Sequence, residues 1–355
     1  MITRIFLFFI LTLQFISCQN MKKEFNWTES SGSPLGYPIE VFTGGLESEH
    51  NFVSLCTGTA SSERWGDSGS GGMSGGVQEI PNRLNVIWLS IVEDAFYELD
   101  TPLDYDKMLS LFEEGYYIPS TNEDPEPRKE NFDLINVGFA PGGVVVVWVS
   151  GLGRQIEVGR YQGKRISQPE DTPNLMHEQR VLLNPDYRSK MAGWDTQKDF
   201  VKENLNKPIP YGLWDSYRKR YRWQLDFEFS KLSNTIPEKK EILINCYNGE
   251  EEELFGEYIT KNYKADKKLH WDYLTDRGIC WRVNFKFYDG NNEYWGGIDF
   301  NEEEIFNAFG EFSQEEDLKL SIYINKGRSM ASVKLTNGKK EVWLTNNKIV
   351  INKVN

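Results

Sequence analysis

The feature that most constrains this fold is a strict alternation of apolar and polar residues in two stretches of the C-terminal half. Trp223–Phe229 reads Trp-Gln-Leu-Asp-Phe-Glu-Phe, and Trp281–Phe287 reads Trp-Arg-Val-Asn-Phe-Lys-Phe. Because successive side chains of a strand point to opposite faces, this pattern predicts strands with one buried and one solvated face. Val144–Trp148 is apolar at every position, which predicts an interior strand. The chain is therefore predicted to be built on antiparallel sheets.

Each half is also predicted to carry one covering helix. Asp104 and Asn301 are N-cap residues, and apolar residues follow each of them at helical spacing. An offset of 197 residues, as between Tyr97 and Tyr294, superimposes the two segments. The superimposed pairs are Tyr97 with Tyr294, Leu103 with Phe300, Asp104 with Asn301, Met108 with Ile305, Leu109 with Phe306 and Phe112 with Phe309. The predicted fold class is α+β, mainly antiparallel β-sheet, in two similar halves; internal duplication and chance similarity both remain open.

Changes in composition divide the chain into five segments. Several prolines and a helix-compatible stretch from Asp195 to Leu205 predict a connector between two β-rich domains. Residues 66–76 are rich in glycine and serine, which predicts a mobile surface loop. The polar, turn-rich start predicts that order begins near Tyr37. The predicted boundaries are a signal peptide at 1–17, a lipidated tether at 18–36, an N-terminal domain at 37–165, a helical and proline-rich connector at 166–219 and a C-terminal domain at 220–355.

The first eighteen residues are typical of a lipoprotein export signal. Arg4 supplies the positive charge, residues 5–16 form an apolar stretch too short to span a bilayer, and Ser17-Cys18 is the cleavage site. Cys18 is thus the predicted lipidation site, although the large Phe15 leaves a secretory signal without lipidation open. We expect a lipid-anchored protein of the bacterial cell envelope. Lys22-Lys23 favours the outer membrane, facing the periplasm.

The charge of the chain excludes some classes of partner. Cleavage removes Arg4 and no acid, which takes the formal net charge from −13 to −14. Nucleic acids and anionic lipid headgroups both require a basic face, so membrane attachment is assigned to the acyl chains on Cys18. No cofactor and no metal site are predicted, because the three histidines stand apart and no two cysteines have a CxxC spacing.

Three cysteines remain once Cys18 is lipidated, and an odd number cannot all pair. Cys246 and Cys280 both fall in strand-like runs, so one reading is a disulfide between them, with Cys56 buried as a small apolar residue. The other reading leaves all three as free thiols.

Two serine-hydrolase patterns occur in the glycine-rich loop, at Gly66-Asp67-Ser68-Gly69 and at Gly72-Met73-Ser74-Gly75-Gly76. Both lack the required context. The only upstream histidine, His50, is close to Ser68 in sequence, and neither the strand before nor the helix after a nucleophile elbow is visible. The sequence therefore assigns no catalytic residue.

Charged clusters give the remaining site candidates. Glu93 and Asp94 are the best candidates for paired carboxylates, against the alternative of charge on a solvated face. Arg218 and Arg220 belong to the only dense basic cluster, which indicates either a solvated strand edge or an anion site. The acidic run Glu250–Glu253 lacks the alternating oxygen ligands of a calcium loop.

Two groups of residues together resemble a known family. They are Pro81, Leu84, Val86, Trp88, Ser90, Glu93 and Phe96-Tyr97, then Gly138, Ala140-Pro141-Gly142-Gly143, Val145, Val147-Trp148, Gly151, Arg220-Tyr221 and Trp223. The pattern is similar to that of the bacterial envelope family named domain of unknown function 2931, over roughly residues 30–290. The family has no established activity. The resemblance implies a lipoprotein, and it implies a role in immunity because some members accompany genes for interbacterial toxin secretion.

We therefore expect an envelope-anchored, protein-binding lipoprotein, with an immunity protein against a secreted toxin as the form that the resemblance implies. The partner is expected to be a protein of unknown identity. An envelope-assembly or carbohydrate-binding module is the alternative, because the chain is rich in aromatic residues. A serine hydrolase centred on Ser68 or Ser74 is the least favoured class.

Overall fold

The computed structural model describes residues 23–70, 72, 74–119, 126–194, 197–231 and 236–354, which hold 23 strands and seven α-helices. The strands of the N-terminal half are β1 (Glu24–Gly32), β2 (Ile39–Glu47), β3 (Phe52–Ser54), β4 (Thr59–Ala60), β5 (Gly76–Glu79), β6 (Arg83–Ser90), β7 (Ala95–Pro102), β8 (Tyr116–Ile118), β9 (Arg128–Glu130), β10 (Leu134–Ala140), β11 (Val144–Gly151), β12 (Arg154–Gln162) and β13 (Lys164–Ile166). Those of the C-terminal half are β14 (Arg220–Phe229), β15 (Glu238–Cys246), β16 (Glu251–Phe255), β17 (Thr275–Gly278), β18 (Cys280–Asp289), β19 (Asn292–Asp299), β20 (Leu318–Ile324), β21 (Ala331–Thr336), β22 (Glu341–Leu344) and β23 (Lys348–Val354). The helices are α1 (Tyr105–Glu114), α2 (His177–Leu182), α3 (Pro185–Met191), α4 (Lys198–Leu205), α5 (Leu213–Ser216), α6 (Glu257–Thr260) and α7 (Glu302–Gly310).

One long sheet passes through both halves. Its strand order is β23-β19-β18-β15-β16-β12-β11-β10-β1-β5. A second sheet, β13-β7-β6-β2-β3 with β4 beside β2, packs on it in the N-terminal half, and a third, β17-β14-β20-β21-β22, belongs to the C-terminal half. Nearly all neighbouring strands are antiparallel, whereas the pairs β1–β10 and β14–β20 are parallel. The α+β class with mainly antiparallel sheets is confirmed.

The same strand order occurs in each half. The N-terminal half contributes β5-β1-β10-β11-β12 and β13-β7-β6-β2-β3, and the C-terminal half contributes β17-β14-β20-β21-β22 and β23-β19-β18-β15-β16. In each case the first strand of the half pairs in parallel with the strand that opens the meander after the helix. The strands β7 and β19, which precede the two helices, begin 197 residues apart, at Ala95 and Asn292.

The two halves meet at one short joint between the sheets. Strands β12 and β16 pair only through Arg154 with Glu252 and Gln155 with Glu251. Strand β12 is the last of the five N-terminal strands that include the parallel pair β1–β10. Strand β16 is the last of the five C-terminal strands that are all antiparallel. The joint therefore connects edges that are not equivalent.

The two predicted covering helices, α1 and α7, form as their sequences indicate. The side chain of Asp104 accepts from the backbone N–H of Lys107, and α1 ends at Gly115, which has φ of 58°. The side chain of Asn301 accepts from the N–H of Glu304 to begin α7. Buried apolar residues on each helix join the core of its own half, with Met108 on α1 and Ile305 on α7 both fully buried. Strand β11 is buried on both faces, as predicted for an interior strand. Among the residues described, no helix has the length and apolar character needed to cross a membrane.

The predicted tether at 18–36 is wrong for residues 24–32, which form strand β1 with its second half buried. Trp27 is 2% exposed and Ser31 is fully buried. The hydroxyl of Ser30 on this strand donates to the carbonyl of Ser70. The glycine-rich loop is correspondingly anchored, since the N–H groups of Gly69 and Ser70 donate to the carbonyl of Ser31. A polar sequence was mistaken for an unstructured one.

The connector covers the outward faces of the N-terminal half. Leu182 of α2 and Met191 of α3 pack on one sheet against Phe42, Leu89 and Phe96. Trp214 of α5 packs on the long sheet against Val146 and Trp148 of β11. In the C-terminal half, the outward residues of β15 and β18 remain half-exposed. The two halves thus differ in how their sheets are covered.

Candidate functional site

The candidate site is the outward side of the long sheet in the C-terminal half, which we call the open face. Strand alternation directs Ile242, Ile244, Val283 and Phe285 into the core, so the intervening residues point outward. The open face consists of Glu241, Leu243 and Asn245 on β15, Glu251 and Glu253 on β16, Arg282, Asn284 and Lys286 on β18, and Trp295 on β19. All nine are intermediate in exposure.

An aromatic ring lies flat on this face. A Cβ atom added to Gly297 would lie 3.2 Å from Cη2 of Trp295 and 3.1 Å from Oδ1 of Asn284, so the indole occupies the space above the glycine. The glycine allows the ring to rest on the sheet instead of standing away from it. A partly exposed tryptophan offers a large apolar contact area together with an N–H donor, which is typical of binding surfaces.

The centre of the open face is acidic. Glu241 is ion-paired with Lys286, and the Asn245 amide donates to Oε2 of Glu251 at 3.0 Å. Glu253 has no hydrogen bond or ion pair among the residues described. Burial, together with the charges of Glu241 and Glu251, raises the pKa of Glu253 to about 8. Burial and the charge of Asp67 raise the pKa of Glu251 as well. The face therefore holds carboxyl groups that the protein's own cations leave poorly compensated.

A loop that we call the rim loop, residues 61–69, stands at one end of the open face. The ring of Trp65 packs edge-on against Trp148, with centroids 5.1 Å apart. The Gly66 carbonyl accepts from the Asn136 amide at 2.7 Å. The guanidinium of Arg64 lies 3.7 Å from the centroid of the Trp281 ring. A cleft of about 380 Å³ lies between this loop and the sheet. The rim loop thus gives the open face a fixed boundary.

Glu93 and Asp94 have separate structural partners. Oε1 of Glu93 accepts from the hydroxyls of Tyr97 at 2.8 Å and Tyr211 at 3.0 Å, and both carboxylate oxygens accept from the N–H of Gly142 at 3.2 Å. Asp94 has φ of 45° in the β6–β7 turn and forms an ion pair with Arg188. The two segments that carry the family resemblance therefore meet at Glu93, which also holds the connector through Tyr211.

Arg218 and Arg220 each bind an acidic side chain, and only Arg218 reaches the N-terminal half. The guanidinium of Arg218 donates to Oε1 of Glu157 on β12 at 2.7 Å. Arg220 is ion-paired with Glu250 and donates to the carbonyl of Asp276 at 2.9 Å. Each arginine therefore has an acidic partner, which the basic cluster in the sequence did not reveal.

Cys246 and Cys280 lie opposite each other on neighbouring strands, as unbonded thiols. Burial raises the pKa of both thiols. The disulfide between them stays a prediction. Cys56 is not buried as expected; it is half-exposed, and its thiol donates to the Thr57 carbonyl at 3.6 Å. Cys18 lies outside the described residues.

The serine-hydrolase patterns gain no catalytic partners. His50 is hydrogen-bonded to Glu79 at 2.9 Å, and no hydrogen bond in the described part of the chain connects a histidine to Ser68 or Ser74. Across the same residues, no three His, Cys, Asp or Glu side chains are placed to hold a metal ion.

One relay of a hydroxyl, an imidazole and a carboxylate does occur. Thr260 Oγ1 lies 3.1 Å from Nε2 of His270, and Nδ1 of His270 is hydrogen-bonded to Asp272. The Thr260 hydroxyl also donates to the carbonyl of Gly256 at 3.2 Å within the helical turn of α6. Because that bond uses its proton, the hydroxyl is not available to be activated by the histidine. The relay fastens α6 to the following loop.

The open face was missed because Glu250–Glu253 was read as a single acidic run. In the strand, Glu252 points inward and binds Arg154 at 3.0 Å and Arg277 at 2.6 Å. Its neighbours Glu251 and Glu253 point outward. The strand period of two separates these roles, and it was a signal available in the sequence.

Comparison with known proteins gives one match. No curated protein and no solved structure matches the chain. Residues 16–212 match the family described as Protein of unknown function (DUF2931), from the end of the predicted signal through the N-terminal half and most of the connector. The match begins and ends earlier than the 30–290 expected from the sequence, so Arg220, Tyr221 and Trp223 lie beyond it. Since it covers more than half of the chain, this protein belongs to the DUF2931 family.

Proposed function

We propose that this protein is an envelope-anchored lipoprotein that binds another protein through the open face. The observation that carries the proposal is the uncovered sheet. In the N-terminal half, the outer side of the sheet containing β2, β6 and β7 is covered by α2 and α3. In the C-terminal half, β15, β18 and β19 hold the same places in the strand order as β2, β6 and β7. Their outer side carries the flat-lying ring of Trp295 and remains half-exposed.

The charges of the open face favour a basic partner. Because its pKa is raised to about 8, Glu253 is mainly protonated at neutral pH. A lysine or arginine from a partner would favour its charged form and compensate Glu251 at the same time. Trp295 would supply the apolar contact beside this charge, in the arrangement of an interface anchor with polar surroundings.

Anchoring through Cys18 is part of the proposal. Strand β1 begins at Glu24, so only residues 19–23 separate the anchor from the first strand. A chain of this length spans at most about 20 Å when fully extended. The folded body would therefore be held close to the membrane surface. Radiolabelled palmitate should be incorporated into the wild type but not into Cys18→Ser, and labelling of the variant would remove the anchor from the proposal.

Site-specific cross-linking tests the open face. A photo-activatable amino acid is placed at Trp295 in one variant and at Tyr323, an exposed aromatic on the separate β20 sheet, in the control. We expect a discrete adduct in the envelope from position 295 only, and its loss when Glu253→Lys is added. Equal adducts from both positions, or none from position 295, would contradict the proposal.

An immunity role is the specific form that we propose, and it rests on the family association. It predicts a toxin gene beside this one and sensitivity of the deletion strain to sibling cells. Complementation with the wild type, but not with Glu253→Lys, should restore resistance. Unchanged survival of the deletion strain would remove the immunity role and leave the binding proposal to be judged by cross-linking.

A carbohydrate-binding module is the second candidate, favoured by the Trp295 ring lying flat over Gly297. Aromatic rings with an exposed face stack on sugars as readily as on protein groups. Co-sedimentation with peptidoglycan, compared between the wild type and Trp295→Ala, tests this candidate. Retention of neither protein would exclude it.

We also propose that the two halves arose by internal duplication. The matching strand orders, the parallel pair in each half and the equivalent N-caps Asp104 and Asn301 support this. Phe112 of α1 packs on Phe25 of β1 at 5.4 Å, and Phe309 of α7 packs on Tyr221 of β14 at 5.0 Å. An experimental structure should allow the halves to be superimposed as rigid bodies. Different crossing angles between the sheets of each half would contradict a common origin.

A further inference from the structure

A separate aromatic cavity, of about 230 Å³, lies where the rim loop, the connector and the C-terminal half meet. These three parts of the chain all contribute aromatic residues to its wall. The aromatic residues of the lining are Tyr37, Trp65, Trp214, Tyr217, Tyr247 and Trp281. None of the nine residues of the open face lines this cavity, so a ligand bound here would not depend on the open face.

The rings around the cavity pack against one another. Tyr37 meets Trp214 edge-on with the ring centroids 5.4 Å apart, and the centroids of Tyr217 and Tyr247 lie 5.3 Å apart. Trp214 and Tyr217 are buried, whereas Tyr37 and Tyr247 are half-exposed. The buried rings support the half-exposed ones, so aromatic surface is available to a ligand without rearrangement of the wall.

Three charged residues line the cavity, and two of them are acidic. Glu63 and Glu302 are both exposed, and neither has an ion pair in the described part of the chain. Oε1 of Glu302 accepts from the Tyr217 hydroxyl at 2.7 Å, while its Oε2 has no partner among the described residues. Arg64 is the third charged residue, and its guanidinium covers the ring of Trp281 at 3.7 Å from the centroid. Carboxylates therefore outnumber cations at the cavity.

The charge of Glu302 acts on the aromatic wall. Burial raises the pKa of Tyr217, and the hydrogen bond and charge of Glu302 raise it further. Burial and the charge of Glu302 also raise the pKa of Tyr247. Negative charge therefore lies beside ring faces that themselves attract cations. The stacking of Arg64 on Trp281 is one such contact, made by the protein's own guanidinium.

We propose that this cavity binds a small alkylammonium group of the kind that choline carries, with Tyr37 and Tyr247 against its methyl groups and Glu302 compensating its charge. Aromatic rings combined with a carboxylate suit such a cation, because each ring face adds cation–π attraction to the apolar contact. An anion would meet the two carboxylates. A sugar would need a broad uncovered ring face, and Arg64 already occupies that of Trp281. The volume admits one trimethylammonium group.

Titration calorimetry of the full chain tests the proposal with a matched pair of probes. One is choline, and the other is dimethylbutanol, its uncharged analogue in which carbon replaces the nitrogen. Because the two have the same shape, apolar contact alone would bind them equally. Choline should bind at least about fivefold more tightly, the effect expected of a cation–π contact with a nearby carboxylate.

Two variants on one helical turn test the assigned carboxylate. Glu302→Gln retains an acceptor for the Tyr217 hydroxyl but removes the charge, so it should weaken choline binding about fivefold and leave dimethylbutanol unaffected. Glu303→Gln is the matched control, because Glu303 is also exposed in the first turn of α7 but lines a different cavity. Its affinity for choline should equal that of the wild type.

A third probe distinguishes a lipid headgroup from a free ammonium compound. Short-chain phosphatidylcholine, used below its micellar concentration, should bind more tightly than choline if the ligand is a headgroup, and no more tightly if it is a free compound. In NMR of the wild type, the N-methyl protons of bound choline should give NOEs to the rings of Tyr37 or Tyr247. The proposal is wrong if choline does not bind at about 10 mM, if dimethylbutanol binds as tightly, if both glutamate variants weaken binding equally, or if NOEs arise only from residues outside the cavity.

Discussion

Replacing Glu253 by glutamine should stabilise the protein, and only at high pH. The pKa of this carboxyl is raised from 4.5 to about 8, because the folded protein disfavours its charged form. Below the ordinary pKa the group is protonated in both the folded and the unfolded state, and no penalty exists. The loss of folding free energy grows as the pH rises from the pKa of the unfolded state to the pKa of the folded state, and it is complete above the folded-state pKa. The wild type therefore loses stability as the pH rises through this range.

The magnitude follows from the shift. One pKa unit corresponds to about 1.4 kcal/mol, so the full displacement amounts to about 5 kcal/mol. Glu253 is partly exposed, and solvent screening reduces this, so we expect Glu253→Gln to raise the free energy of unfolding by about 2 kcal/mol at pH 8.5. At pH 4 the variant and the wild type should unfold at the same urea concentration.

Urea denaturation at the two pH values measures this, followed by tryptophan fluorescence. Glu315→Gln is the control, since Glu315 is an exposed carboxylate without an ion pair in the described chain. Its stability should match that of the wild type at both pH values. If Glu253→Gln gives the same gain at pH 4 and pH 8.5, or destabilises the protein at pH 8.5, the unfavourable charge inferred on the open face does not exist.

Four further predictions concern binding and packing. Affinity for a basic partner should rise between pH 6 and pH 8.5, because the bound cation replaces the proton of Glu253, and calorimetry on Glu253→Gln should show no such dependence. Trp65→Ala, at a residue 8% exposed, should lower the free energy of unfolding by about 3 kcal/mol, and an unchanged unfolding temperature in calorimetry would refute this. Glu93→Ala should cost about 2 kcal/mol in urea while partner affinity stays the same, since the residue accepts three hydrogen bonds away from the open face; lost affinity would give it a binding role. In protein purified from the envelope without reductant, Cys246 and Cys280 should resist alkylation as a disulfide, and complete alkylation after unfolding would exclude the bond.

Features set by local periodicity were accessible from the sequence. The alternation in Trp281–Phe287, the apolar run Val144–Trp148 and the N-caps Asp104 and Asn301 all depend on neighbours within a few residues. Each appears in the structure where the sequence places it. Such signals specify which face of an element is buried but not what it packs against.

Contacts between residues that are distant in sequence could not be predicted from the sequence. The joint of Arg154 with Glu252 brings together residues from different halves, and neither sequence segment indicates the other. The role of Glu93 likewise depends on Tyr211, which is remote in sequence. The outward direction of Glu251 and Glu253 could be predicted from strand alternation, but the absence of a covering element over them became visible only with the strand order and the position of the connector. Clusters of charge in the sequence therefore identified candidate residues but not the residues that bind them.

The position of β1 has a consequence for the order in which the chain folds. Its Thr28 pairs with Leu134 of β10, so the first described strand cannot complete its sheet until that distant segment is also available. Until then only β5 can pair with it and its other edge stays open, the kind of edge that templates aggregation when the strand is apolar. Its Thr-Glu-Ser-Ser sequence instead keeps the strand polar before it pairs, and the hydroxyl of Ser30 is buried against the carbonyl of Ser70 when the sheet is complete. The polar sequence that resembles a tether is thus suited to a strand whose partner β10 comes much later in the chain.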